Sequence, residues 1–306
     1  MEHPERERQR KPRMADRMWE INQDTYVLLE HLTENSEEVE LANYGMMLWG
    51  NMNQTYRIAA KSYLGGGVSD LSWISYKERG WNQANLVGYM ESHDEERLMY
   101  STLQEANSQN ANHNARELDI ALQRMEVCAN FFIPIPGPKM IWMFGELGYD
   151  YSIDYNGRVG NKPIRWDYYD QHLRKRLYQV YSALGNLKQD YPVFQTTDYE
   201  LVVRDTVKRI HLNHEDMNVT ILGNFSTWDK KGQGGFQHTG WWYDYWTGDS
   251  LLVENTEAWM DFKPSEYRLY TDVKLVTPEI LSGLNQIEIG RNTSHVKVYP
   301  NPIGEK

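Results

Sequence analysis

Between residues 14 and 190, short unbroken apolar runs alternate with stretches whose apolar residues recur at helical spacing. Residues 26–32 (YVLLEHL) read as a buried strand, followed by a polar helix start near Asn35 and Ser36. Residues 45–49 (GMMLW), 86–90 (LVGYM) and 139–144 (KMIWMF) are three further runs of strand length. Unbroken runs divided by helices predict a parallel sheet covered on both faces. Residues 115–132 place Leu118, Leu122, Met125 and Ala129 on one helical face, which predicts a crossover helix that Pro134, Pro136 and Pro138 terminate. Residues 172–188 predict another, with Leu173, Leu177, Val180, Tyr181 and Leu184 along one side.

The pattern changes at Tyr191-Pro192. Beyond it LVVRD, RIHLNHE, NVTILGNFS, GWWYDYWTG and YRLYTDVKL are all near strand length, with turn residues between them, notably Gly232, Gly234, Gly235 and Thr247-Gly248. Residues 191–277 therefore read as an antiparallel β-domain. Residues 1–13 form a charged flank with no apolar core of a signal peptide. Residues 278–306 read as a linker followed by the first strand of a further unit.

Composition narrows the partners. The chain of 306 residues carries 32 Lys and Arg against 43 Asp and Glu, a formal net charge of −11. No basic face is visible, which argues against nucleic acid, and no run of about 18 apolar residues predicts a membrane span. One cysteine, Cys128, excludes an intrachain disulfide and a multi-cysteine metal site. Its place on the apolar face of the 115–132 helix predicts an inert packing residue. Tyr (21) and Trp (11) far outnumber Phe (7), a bias that suits surfaces holding sugar rings as well as β-domain cores.

Candidate chemistry gathers where the apolar runs end, the edge of a parallel α/β fold at which working residues sit. Glu30-His31 follow the first run, Glu91-Ser92-His93-Asp94 the third, and Gly145-Glu146 the fourth. A carboxylate directly after an apolar strand is costly to bury without a partner or a purpose, and several at one mouth would shift one another's pKa values. His211-x-x-His214-Glu215 has the residue types of a metal site but no evident third ligand.

These segments resemble the α-amylase family of glycoside hydrolases. LVGYMESHDEERL is similar to that family's strand-seven motif, YVLLEHL to its strand-five motif ending in the acid/base glutamate, and PGPKMIWMFGELGYD to its strand eight. The helix after it and the β-domain ending in KPSEYRLY resemble the family's closing helix and C-terminal domain, so the likeness runs over residues 14–277. The resemblance implies an α/β fold: the second half of a (β/α)8 barrel, strands five to eight, over residues 14–190, then an all-β Greek-key sandwich. It implies an α-glucan substrate and retaining chemistry, with Glu30 as proton donor in an apolar setting that raises its pKa, Asp94 as the acidic residue that grips sugar hydroxyls at the transition state, and His93 beside it. His31, Glu146 and Trp49 join them as substrate-binding candidates.

One part is missing. The family's nucleophile is an aspartate in a Gly-x-Arg-x-Asp context on strand four, and this sequence contains no such motif; Arg13-Met-Ala-Asp16 lies in a helical pattern. The chain thus has an acid without its nucleophile, no evident cofactor or metal ligand set, and a structural calcium only as a prospect for a longer enzyme. Half a barrel also exposes two sheet edges, which predicts self-association. The terminal KVYPNP resembles the opening of a type IX secretion sorting domain and implies an extracellular or cell-surface parent protein. Two rivals remain open: a glucan-branching transferase of the same superfamily, and a non-catalytic glucan-binding remnant using the Trp241–Trp246 cluster, although that cluster reads more readily as hairpin and core packing. Four Asn-x-Ser/Thr sequons, at Asn53, Asn218, Asn224 and Asn292, are what chance supplies in an Asn-rich chain.

Overall fold

A computed structural model describes residues 4–283; the KVYPNP segment and Asn292 lie outside them. Four strands, β1 (Leu28–Leu29), β2 (Met47–Asn51), β3 (Leu86–Tyr89) and β4 (Lys139–Met140), pair in sequence order and all in parallel. Helices α1 (Pro4–Ile21), α2 (Asn35–Asn43), α3 (Asn53–Ala60), α4 (Leu98–Glu105), α5 (Leu118–Asn130) and α6 (His172–Asp190) surround them. The helix α1 runs across position 13 without a break, so no structural boundary separates the charged flank from the residues after it.

Two of the predicted strands are much shorter than their apolar runs. The first was expected to be buried; instead Tyr26, Leu28 and Leu32 are exposed, Leu28 at 40%. The fourth pairs only at Lys139–Met140, and Ile141 and Met143 beyond it are exposed. The reason is the same at both ends: among the described residues β1 and β4 each have a neighbour on one side only. The two central strands are better covered. Gly88, inside β3, lets the turn Ser72–Ile74 press onto the sheet, since a Cβ there would stand 2.3 Å from Ile74 Cδ1.

The second region is a six-stranded antiparallel sheet in the order β10-β9-β12-β7-β6-β5, faced by a two-stranded sheet β11-β8. Its strands are β5 (Tyr199–Val202), β6 (Val207–Leu212), β7 (Val219–Asn224), β8 (Lys230–Gln233), β9 (Gly240–Asp244), β10 (Ser250–Val253), β11 (Trp259–Phe262) and β12 (Tyr267–Thr271). Gly232, read as a turn residue, lies inside β8, where Val207 leaves no room for a side chain. Trp242, Phe236 and Phe262 fill the space between the two sheets. The other face of the large sheet, including Ile210, Ile221 and Leu269, shares one continuous core with α5 and α6.

Polar side chains also cross this junction. Arg124 of α5 reaches the carbonyls of Ala59 and Ala60 on one side, and Phe225 O and Ser265 Oγ on the other. Ser265 Oγ thereby accepts from Arg124 at 2.8 Å, so its own hydroxyl donates to His113 Nε2, also at 2.8 Å. His113 is held as a neutral acceptor: burial first, then the charge of Arg124, push its pKa down to about 4. An imidazole depressed in the folded state contributes stability above its unfolded pKa near 6.5, and that contribution is lost as pH falls toward 4. Urea unfolding should therefore show the chain weakening by about 1–2 kcal/mol over that window, after discounting for partial solvation. His113→Gln should flatten the slope; an unchanged slope would contradict this assignment.

Past β12 the chain does not leave as a free linker. Leu275 and Ile280 pack on the core, and Leu281 exchanges hydrogen bonds with Arg176 and Gln179 of α6. Among the described residues no helix is long and apolar enough to cross a membrane.

Candidate active site

Neighbouring strands stand about 4.8 Å apart, so groups at the ends of β1 and β3, with β2 between them, would sit about twice that distance apart in a flat sheet. Yet ionisable atoms of Glu30, after β1, and of His93 and Asp94, after β3, all lie within 4.8 Å of one another. The side chains lean together across the end of β2, as at one sector of a barrel mouth. His93 Nε2 is 3.8 Å from Asp94 Oδ2, and its ring lies 5.9 Å from that of Trp142, just beyond β4. All three clustered residues are exposed. The expected apolar setting for Glu30 is therefore not met, because β1 is an open edge with no neighbour on its outer side.

The turn that presents His93 and Asp94 is held from several directions. Asn53, at the start of α3, donates to Met90 O and to Glu96 O, both at 2.8 Å, and so clamps the two ends of the turn. Asp94 N donates to Ser92 Oγ at 3.1 Å, and Arg158 donates to Asp94 O. Beneath them Glu91, buried, accepts from Leu98 N at 2.6 Å and caps the first turn of α4. Burial pushes the Glu91 carboxyl up, Arg97 at 3.6 Å and the Leu98 N–H pull it back, and Glu146 raises it further. Glu91 stood in the sequence motif without a role. Its neighbour Leu98, which opens the amphipathic α4 after a Glu-rich turn, was the available signal for a capping carboxylate.

Other candidates fall in different places. Trp49 on β2 packs edge-to-face against Tyr89 on β3, with ring centres 5.8 Å apart. His31 lies 2.8 Å from Glu37 at the start of α2 and is outside the cluster. Glu146 borders a separate hollow of about 540 Å3 with Phe144, Trp166 and Tyr181, and burial raises its pKa. Asp16 sits on α1 and accepts from Tyr44 at 2.7 Å, so it is a surface helix residue. His211 pairs with Glu200 and His214 with Asp216, so the two histidines do not converge on a metal. Burial pushes the Cys128 thiol up to about 12, consistent with packing. In the β-domain Trp242 is fully buried while its neighbour Trp241 is 54% exposed.

One imidazole and two carboxylates this close could also hold a divalent cation. Three exposed donors fall well short of the six to eight oxygens that calcium takes, however. The arrangement suits a ligand with many hydroxyls better: acceptors on two carboxylates, an imidazole, and the aromatic ring of Trp142 beside His93.

No family model matches the sequence, and no curated protein matches it. Solved structures do. An α-amylase from Anoxybacillus aligns with a TM-score of 0.63 at 16% identity, over 86% of this chain and 56% of that one. The fold is α-amylase-like. A Geobacillus thermoleovorans α-amylase solved with acarbose gives 0.62 at 13% identity, over 86% and 57%. A cyclomaltodextrin glucanotransferase gives 0.66 at 15% identity, over 88% and 54%. The chain spans little more than half the length of the solved proteins it matches, and it has a four-stranded parallel sheet followed by an antiparallel β-domain.

Proposed function

We propose that this chain carries the acid half of a retaining α-glucan site, with β1 to β4 standing as strands five to eight of an α-amylase barrel. The observation that supports it is the meeting of Glu30, His93 and Asp94 within 4.8 Å at the C-terminal ends of two parallel strands. In this reading Glu30 protonates the glycosidic oxygen as the bond breaks. Asp94 accepts hydrogen bonds from sugar hydroxyls and offsets the positive charge that grows on the ring, and His93 donates beside it. The asparagine, arginine and glutamate contacts around residues 90–98 keep those groups in place, which is where orientation contributes to rate.

In this reading the nucleophile would come from a Gly-x-Arg-x-Asp motif, which this sequence does not contain, so the chain by itself is expected to perform no double displacement. Purified chain is expected to release no reducing sugar from soluble starch above the buffer rate. A second reading takes Glu30 and Asp94 as a complete pair, because their spacing is near the roughly 5–5.5 Å of retaining enzymes. The same assay decides between them: starch hydrolysis that disappears in Glu30→Gln favours the complete pair and overturns the first reading. Whether a full-length protein hydrolyses or transfers glucan is read from reducing ends against a changed iodine spectrum. The secreted setting implied by KVYPNP is tested by locating the mature protein outside the cell.

A further inference from the structure

At the opposite ends of the strands from Glu30, His93 and Asp94 lies a hollow of about 680 Å3. Val27 just before β1, Met47 at the start of β2, Asn85 just before β3 and Pro138 just before β4 border it, so it opens at the N-terminal edge of the parallel sheet. Lys188, in the last turn of α6, borders it too. Residues at that edge of a barrel ordinarily serve stability. An ionisable side chain facing a cavity of ligand size there needs its own account.

Lys188 does not stand alone. Its Nζ donates to Ile135 O at 2.9 Å and to Phe194 O at 3.4 Å. Lys139 Nζ, from β4, donates to the same Ile135 O at 2.8 Å, and to Gly137 O and Pro136 O at 3.0 and 3.4 Å. Lys139 thereby has an acceptor for each of its three N–H donors, whereas Lys188 has two. Two amines crowd one carbonyl oxygen with no carboxylate to balance them: among the described residues the lysines in ion pairs are Lys61, Lys231 and Lys263.

That arrangement disfavours the ammonium form. Burial pushes the Lys188 amine down to about 7, and burial, then the charge of Lys188, push Lys139 down as well. At neutral pH much of Lys188 is therefore free amine, where an ordinary lysine near about 10.4 is almost wholly protonated. A desolvated lysine beside a second cation is the usual setting of an amine nucleophile. The walls say what it meets. Val27, Met47, Val87 and Pro138 are apolar, and the amides of Asn85 and Gln195 already donate to Ala42 O and Lys188 O. Such a lining offers a bare anion few donors but suits a neutral carbonyl compound with a hydrocarbon arm.

We infer that Lys188 is a second reactive centre, whose amine at the wall of this hollow adds to the carbonyl of a small aldehyde or ketone with an apolar arm and holds it as an imine. The nitrogen lone pair attacks the carbonyl carbon, and one proton passes from nitrogen to oxygen to give a carbinolamine. Its hydroxyl takes a proton from solvent and leaves as water, so a C–N double bond replaces the C–O bond and the nitrogen keeps one proton. Water reverses the step. The inference does not depend on the α-glucan reading, since the two sites lie at opposite edges of the sheet.

The test treats the full chain with pentanal and cyanoborohydride at pH 7 and follows the alkylation of each lysine by peptide mass spectrometry. Lys188 should be labelled about tenfold or more faster than Lys231, an exposed lysine, because far more of it is free amine. Ala84→Trp narrows the hollow from an exposed position, so the variant should fold normally, with an unshifted melting temperature as the check. It should slow labelling at Lys188 at least fivefold and leave Lys231 unchanged. Labelling of Lys188 no faster than Lys231 overturns the inference. Fast labelling that Ala84→Trp does not slow overturns it too, because the aldehyde then reaches the amine without entering the hollow. Inorganic phosphate that shifts the Lys188 side-chain resonances while pentanal leaves Lys188 unlabelled would make the site an anion site and overturn the imine.

Discussion

Replacing Arg124 with methionine is expected to lower stability by about 3–5 kcal/mol, read by urea unfolding. Arg124 is 1% exposed and has no carboxylate partner. Its charge is spread instead over three carbonyls and a serine hydroxyl, and two of those carbonyls belong to the last turn of α3, where the helix dipole is negative. Burial pulls its pKa down to about 10, so it remains protonated at neutral pH. Methionine fills similar volume but takes the buried donors away from Ala60 O and Phe225 O, leaves Ala59 O with Ser62 N and Ser265 Oγ with His113, and breaks the side-chain link between α3, Phe225 and Ser265. Lysine keeps the charge but cannot fork to four groups, so Arg124→Lys should fall between the two. A loss below 1 kcal/mol for the methionine variant would show that the junction is held by its apolar core alone.

The second large effect concerns the open sheet. At micromolar concentration the chain is expected to sediment as a dimer or larger species. The edge strands β1 and β4 offer unpaired backbone groups on one side, among the described residues. Tyr26, Leu28 and Leu32 are exposed at one edge, and Ile141, Met143, Ile164 and Trp166 near the other. Apolar area of this kind favours association by about 25 cal/mol per Å2 removed from water. Leu28→Lys with Ile141→Lys should shift the population toward monomer, because charge on an edge strand opposes pairing. A monodisperse wild-type monomer in analytical ultracentrifugation would contradict the expectation.

Much of this was legible in the sequence, for reasons that are physical. The runs at LVGYM and GMMLW announced β3 and β2 because both lie between neighbours and are covered by helices. Leu122, Met125 and Ala129 announced the buried face of α5 through helical spacing alone. The edges were not legible. YVLLEHL and KMIWMF read as full strands, but a strand's length depends on a partner, and only two residues of each find one. The cluster of Glu30, His93 and Asp94 came from resemblance, since no spacing rule links positions 30 and 93. Arg97 and Arg124 were invisible because an arginine in sequence looks solvated until the fold buries it. The short strands β8 and β11 escaped because Lys230, Lys231 and Gly232 in one and Asp261 in the other interrupt their apolar pattern, and β10 because its apolar run is only three residues long.

The central claim, that Glu30, His93 and Asp94 form a sugar-binding acid site, is tested most directly by titrating acarbose into wild type, Glu30→Gln, Asp94→Asn and Trp241→Ala. Acarbose is the ligand found in the similar Geobacillus enzyme. The predicted result is binding by wild type and Trp241→Ala alike, with a loss of about tenfold or more in Asp94→Asn, roughly the 1.4 kcal/mol or more that a hydrogen bond to a charged group contributes. Binding that persists unchanged in Asp94→Asn and Glu30→Gln but vanishes in Trp241→Ala would place the sugar on the β-domain and contradict the account.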